Sequence, residues 1–220
     1  MILSRRAKIF VAGAGVVLAW AAWDLYAPRS HSLRDFQPDE VGRLETAMWK
    51  SYYAHERLPL FSQLATLLRR QYGLPILRSH VVAYHAARGA VVFQRGHAHA
   101  DYEKALPEIV AFYSGIRRVS SEDFDVHQAA RRELDWWVIH REREAHPTGD
   151  LDRSLAALQA ELYHLPEDQL TEHARLRVEA TRLCDSLVAK GNSTAQEWTE
   201  IERLLHSSWR SLWDVVNAQR

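Results

Sequence analysis

The chain has 220 residues, with 28 basic and 28 acidic side chains and a sequence pI near 7.2, so no net field draws nucleic acid or another polyanion to it. Hydrophobic residues make up 47% and prolines number only 7, which excludes a disordered chain. Cys184 is the single cysteine, which excludes an internal disulfide and a thiolate zinc cage and suits a small core residue.

Glycine is sparse, and the long segments are rich in Ala, Leu, Arg and Glu, a composition that favours helix. No alternating strand pattern competes with the helical one. The expected fold is all-α: a single-domain bundle of about six to seven helices (residues 39–220), behind an N-terminal membrane-targeting hydrophobic helix (1–27) and a linker (28–38).

Arg5, Arg6 and Lys8 precede an uncharged stretch from Ile9 to Trp23. A basic flank before an apolar run keeps the N-terminus cytoplasmic and exports the rest of the chain. Two outcomes compete. A signal peptide would be cut after Ala19-Trp20-Ala21, which has the small-x-small form. An uncleaved signal-anchor would run to Tyr26, with Trp20, Trp23 and Tyr26 as an interfacial aromatic belt. The anchor leads, although residues 9–26 fall slightly short of the ~20 that a span needs. It places the chain in the inner (cytoplasmic) membrane as a single-pass protein with its helical domain extracytoplasmic.

Ala27 to Pro38 reads as a polar linker, and Pro38-Asp39-Glu40 as a helix start with acids in its first turn. Over Glu40 to Leu58 the apolar face is Val41, Met48 and Tyr52, and Glu45 and Glu56 enter its edge about 20° apart. Pro59 ends or kinks this helix, and Leu60 to Tyr72 continues to Gly73. Ile76 to Gln94 is apolar almost all round, the pattern of a central helix. Its Arg88 is then the expected buried cation, since a guanidinium can satisfy two carboxylates, with His80 and His85 beside it. His97-Ala98-His99-Ala100-Asp101 reads as a polar turn into the helix Tyr102–Arg118, rather than as a metal string.

Asp123 to Glu144 holds the strongest clue. As a helix it puts Val126, Ala130 and Trp137 on one face and brings Glu133 and His140 within about 20° of each other on that same face. Along the axis the two stand about 10 Å apart, too far to chelate one ion together. Leu151, Leu155, Leu158, Leu162 and Leu165 mark the next helix. Its Glu161 and His164 have the Glu-x-x-His spacing of di-iron bundles, but His164 points well away from the leucine line. Residues 166 to 190 place His173 and Arg177 among Leu170, Ala174 and Cys184. Thr194 and Glu197 form a capping box for the last helix, whose stripe is Trp198, Ile201, Leu205, Trp209, Leu212 and Val216.

The candidate functional cluster is therefore Glu45, Tyr52, Glu56, Arg88, Glu133, Trp137 and His140, with His80, His85, His173 and Arg177 less secure. Each buried ion must be paired, neutralised or coordinated. The economical account is a Glu/His/Arg salt-bridge network inside an envelope-anchored module that works through its surface on a protein partner or a small apolar ligand, with no cofactor. A second is an iron site of the carboxylate-bridged kind with Glu45, Glu56, Glu133 and His140 as ligands, in a metal-dependent oxidoreductase. A third is haem or another apolar ligand between Trp49, Tyr52, Trp136 and Trp137, with His140 or His85 reaching in. No phosphate loop, nucleophile elbow or His-Glu-x-x-His motif is present.

Overall fold

Prolines and glycines set most helix ends. The computed structural model describes residues 5–191 and 193–218; residues 1–4 of the N-terminal segment, Asn192, and the side chains of Arg5, Ala7, Lys8, Ile9 and Val188 lie outside the described set. The helices are α1 Arg5–Tyr26, α2 Pro38–Tyr53, α3 Arg57–Tyr72, α4 Ile76–Gln94, the single turn α5 His99–Tyr102, α6 Leu106–Arg117, α7 Val126–Arg141, α8 Asp150–Tyr163, α9 Thr171–Lys190 and α10 Ala195–Asn217. Among the described residues no strand forms, and the all-α bundle is as expected.

Several boundaries follow the sequence signals. Thr194 and Glu197 close their capping box at the start of α10, and Gly73 ends α3 in the left-handed conformation, φ 64°, which a side chain would strain. Others differ. The helix expected over Glu40–Leu58 stops at Tyr53, because His55 turns to φ 57° and α3 starts afresh at Arg57. Pro59 thus sits in the first turn of α3, where its missing N–H has no acceptor to lose. Asp125 caps α7, accepting from the backbone N–H groups of His127 and Gln128.

Consecutive helices pack as neighbours from α2 through α3, α4, α6, α7, α8 and α9 to α10, and α10 closes back on α2. That last seam is tight at Gly42, where an added Cβ would come within 2.8 Å of His206. The leucines of α8 and the stripe Ile201, Leu205, Trp209, Leu212 and Val216 of α10 are buried in the core, each worth about 1.5–3 kcal/mol of apolar burial.

Two expectations are corrected. Residues 28–38 are no polar linker: Leu33 and Phe36 are core residues. His31 pairs with the α6–α7 connection through Val119 and Ser121, and Arg34 donates to the carbonyls of Tyr163 (2.8 Å) and Val216 (2.6 Å), the orphan carbonyls of two helix ends. Nor is α4 central. Ile76, Val81, Tyr84 and Val91 are exposed on its outer face. A helix rich in Ala and Val has no polar side to mark which face meets water.

α1 stands apart. Only its last turns touch the bundle, where the buried Asp24 carboxylate accepts from the backbone N–H groups of Ile76, Leu77 and Arg78 (2.9–3.3 Å) and so caps α4 from a distant part of the chain. Phe10, Val16, Val17 and Leu18 are each more than three-fifths exposed. Among the described residues no helix is both long and apolar enough to cross a membrane by itself.

Candidate functional site

The interior polar cluster is built around Arg177 on α9. Glu45, fully buried on α2, accepts from both Arg177 terminal nitrogens, Nη1 at 2.7 Å and Nη2 at 2.5 Å. The Trp209 indole of α10 donates to the same carboxylate at 2.6 Å. Arg177 also lies over the rings of Trp209 and Trp49, 5.5 and 5.9 Å from their centroids. Burial works against the Arg177 charge, but Glu45 more than restores it and Glu133 adds to the effect. Trp209 belongs to the main core and Trp49 packs on the smaller one around Cys184, so the ion pair sits on the seam between them.

Glu133 forms the second part. It is partly buried on α7 and accepts from the Tyr113 hydroxyl of α6 at 2.8 Å and from the Trp137 indole at 2.9 Å. Burial raises its carboxyl above the ordinary range, and Tyr113, the neighbouring indoles and Arg177 pull it back only in part. Tyr72 of α3 feels both carboxylates: burial, then Glu133, push its hydroxyl up, Arg177 opposes them, and Glu45 adds a smaller push. The charges of Glu45 and Glu133 thus both act on Arg177 and Tyr72.

His173 lies beside this cluster, fully buried against Trp209. Its Nδ1 is 2.9 Å from the Ser208 carbonyl and 2.8 Å from the Ser208 hydroxyl; a proton on Nδ1 lets the ring donate to the carbonyl, which can only accept. The Ser208 hydroxyl returns a bond to the His173 carbonyl at 2.9 Å. Nε2 is buried without a partner. Burial, with Arg177 adding, pushes the imidazole down to about 3 against the pull of the Ser208 carbonyl, so it is neutral.

The seven expected residues therefore do not form one site. Glu45, Glu133 and Trp137 belong to the interior cluster. Arg88 does not: it is more than half exposed and pairs on the surface with Glu108 at 3.1 Å and with Tyr84, because α4 turns that face outward. Arg177 takes the place expected for it. Glu56 is exposed at the start of α3, since the break at His55 rotates it out of register with Glu45. Tyr52 is exposed and its hydroxyl accepts from Gln94. His140 pairs with Asp185 of α9 at 2.9 Å, and Arg143 joins the same carboxylate.

These placements bear on the iron and haem readings. Glu45, Glu56, Glu133 and His140 each have a different partner or exposure, and among the described residues no three His, Cys, Asp or Glu side chains stand close enough to share an ion. Trp49 is engaged by Arg177, Trp137 by Glu133, and His85 by Glu108 at 2.8 Å. His80 is exposed on α4. A shallow groove of about 420 Å³ between α7 and α8 is lined by Arg132, Asp135, His146, Asp150 and Arg153, among others; none of the seven reaches it. Burial pushes the Cys184 thiol up to about 12, which makes it an inert core residue.

Sequence reasoning missed Tyr72, Tyr113, Ser208 and Asp185. Trp209 reads in the sequence as an ordinary member of its apolar stripe, and the only signal for it and for Tyr113 is that a buried Tyr or Trp brings a donor that needs an acceptor. Fold and cluster together define an all-α bundle with an ion pair buried in its core. No family model, no curated protein and no solved structure matches the chain.

Proposed function

We propose that this is a membrane-anchored, exported helical module that binds a partner through its outer surface, and that the Glu45–Arg177 cluster holds the shape of that surface and carries no chemistry. One observation carries the anchoring: α1 exposes apolar side chains around its whole circumference, Phe10, Val11, Val16, Val17, Leu18, Trp20 and Trp23 among them. Moving these out of water is worth on the order of 10 kcal/mol, and a helix apolar all round has no reason to project into solvent. The capping of α4 by Asp24 favours the uncleaved helix, since a cut after Ala21 would leave the cap on a fraying terminus.

The module reading is supported by the pairing of the interior charges, Glu45 with Arg177 and Glu133 with Tyr113 and Trp137. The N-terminus is assigned to the cytoplasm and the bundle to the far side of the inner membrane by the basic residues Arg5, Arg6 and Lys8. The test is fractionation of cells making the full chain. Sedimentation with membranes that survives alkaline carbonate, together with bundle cleavage by protease only after the outer face is opened, is the expected result. Recovery of the intact chain in the soluble fraction refutes it.

A further inference from the structure

The base of α1 gathers more positive charge than the fold neutralises. Arg78, in the first turn of α4, is 8% exposed and donates from Nη2 to the Ala27 carbonyl at 2.6 Å, while its Nε is buried without a partner. Two residues beyond Ala27 comes Arg29, and two beyond that is His31, whose N–H donates to Val119 at 2.7 Å, next to Arg118. The backbone therefore places Arg29 on the stretch that runs from Arg78 to the connection beside Arg118; Arg29 and Arg118 are exposed and Arg78 is buried. Asp24 lies at this junction with both its oxygens occupied by the N-terminus of α4, and the acids of the α6–α7 connection are taken too, Glu122 by Ser32, Leu33 and Ser120 and Asp123 by Arg117. Burial and the nearby Arg29 and Arg118 disfavour the Arg78 charge, which Asp24 only partly supports.

We propose that Arg29, Arg78 and Arg118 form a binding site for the phosphate of an anionic phospholipid headgroup. The inference rests on the anchoring of α1. Trp23 and Tyr26 mark the interface level along that helix, and Arg29 follows within one turn's length of chain, at the depth of lipid phosphates. Guanidinium forks match phosphate oxygens in pairs. Arg29 and Arg118, both exposed, make the direct contacts, and the buried Arg78 supplies positive charge from beneath. A phosphate there removes the repulsion among the three and fixes the bundle against the bilayer surface.

The test uses the full chain reconstituted in vesicles of equal phosphatidylcholine and phosphatidylglycerol, extracted in mild detergent and weighed by native mass spectrometry. Retained phosphatidylglycerol should exceed phosphatidylcholine, and Arg29→Gln and Arg118→Gln, both surface changes, should each reduce that preference about fivefold. Equal retention of the two lipids, or variants that keep the wild-type preference, overturns the site while leaving the anchor intact. Displacement of the lipid by inorganic phosphate alone also overturns it, in favour of a free-phosphate site. A chain that fails to enter these vesicles overturns the anchor, and the lipid site with it.

Discussion

Arg177 meets Glu45 through both terminal nitrogens, at 2.7 and 2.5 Å, between the rings of Trp49 and Trp209. This pairing joins α2 to α9, which are far apart in sequence, and it does so where the two apolar clusters meet. Removing either partner leaves the other charge buried and uncompensated. Arg177→Met or Glu45→Gln should each lower unfolding free energy by about 3–5 kcal/mol. The double change Glu45→Leu with Arg177→Met should recover much of that loss. Urea denaturation of the three variants checks both statements, and equal losses in the double and single variants would contradict the pairing.

Glu133 should behave differently. Its carboxyl is held above the ordinary range, chiefly by burial. An acid with a raised folded pKa gives stability that is present below the unfolded value and lost as pH rises through the folded one. Glu133→Gln keeps an acceptor for Tyr113 and Trp137 and removes that loss. Denaturation at neutral pH should show equal or higher stability than wild type, and the gain should vanish near pH 4.

His173 sets a limit at acid pH. Its imidazole is pushed from 6.5 to about 3, so the unfolded chain binds a proton in this window that the folded chain does not. Stability is full above about pH 6.5 and falls as pH drops towards 3, by up to about 1.4 kcal/mol per unit from this group. His173→Phe should flatten that part of the stability profile. A variant with the wild-type slope between pH 6 and 4 would assign the acid sensitivity elsewhere.

The segment before α2 is part of the core. Leu33 is completely buried and its carbonyl accepts from the buried Tyr163 hydroxyl, so Leu33→Ala should lose about 2–5 kcal/mol. A true linker residue would show almost no change. Circular dichroism melting of the full chain distinguishes the two.

The Asp24 cap joins α1 to the bundle. Asp24→Ala should lose about 1 kcal/mol and speed hydrogen exchange at Ile76, Leu77 and Arg78, the three N–H groups it holds. Exchange at α7, capped by its own Asp125, should not change.

Residue order was enough to place most helices and to say which of their faces are greasy. The α4 and α10 spans, the leucine line of α8, the α10 capping box and the entry of Glu45, Glu133 and Arg177 into apolar faces could all be read from spacing and turn chemistry. These are local properties, set by 3.6-residue periodicity and by groups within one turn of each other. The partners came only from packing. Arg88 and Arg177 both sit on apolar helices, and which one is buried depends on whether another helix covers that face; α2 and α10 cover Arg177, whereas α4 leaves Arg88 in solvent. Likewise His140 finds Asp185 and Asp24 finds α4 across long stretches of chain. A charge on a helix has a defined face but no defined neighbour until packing brings one, and packing is a property of the whole bundle.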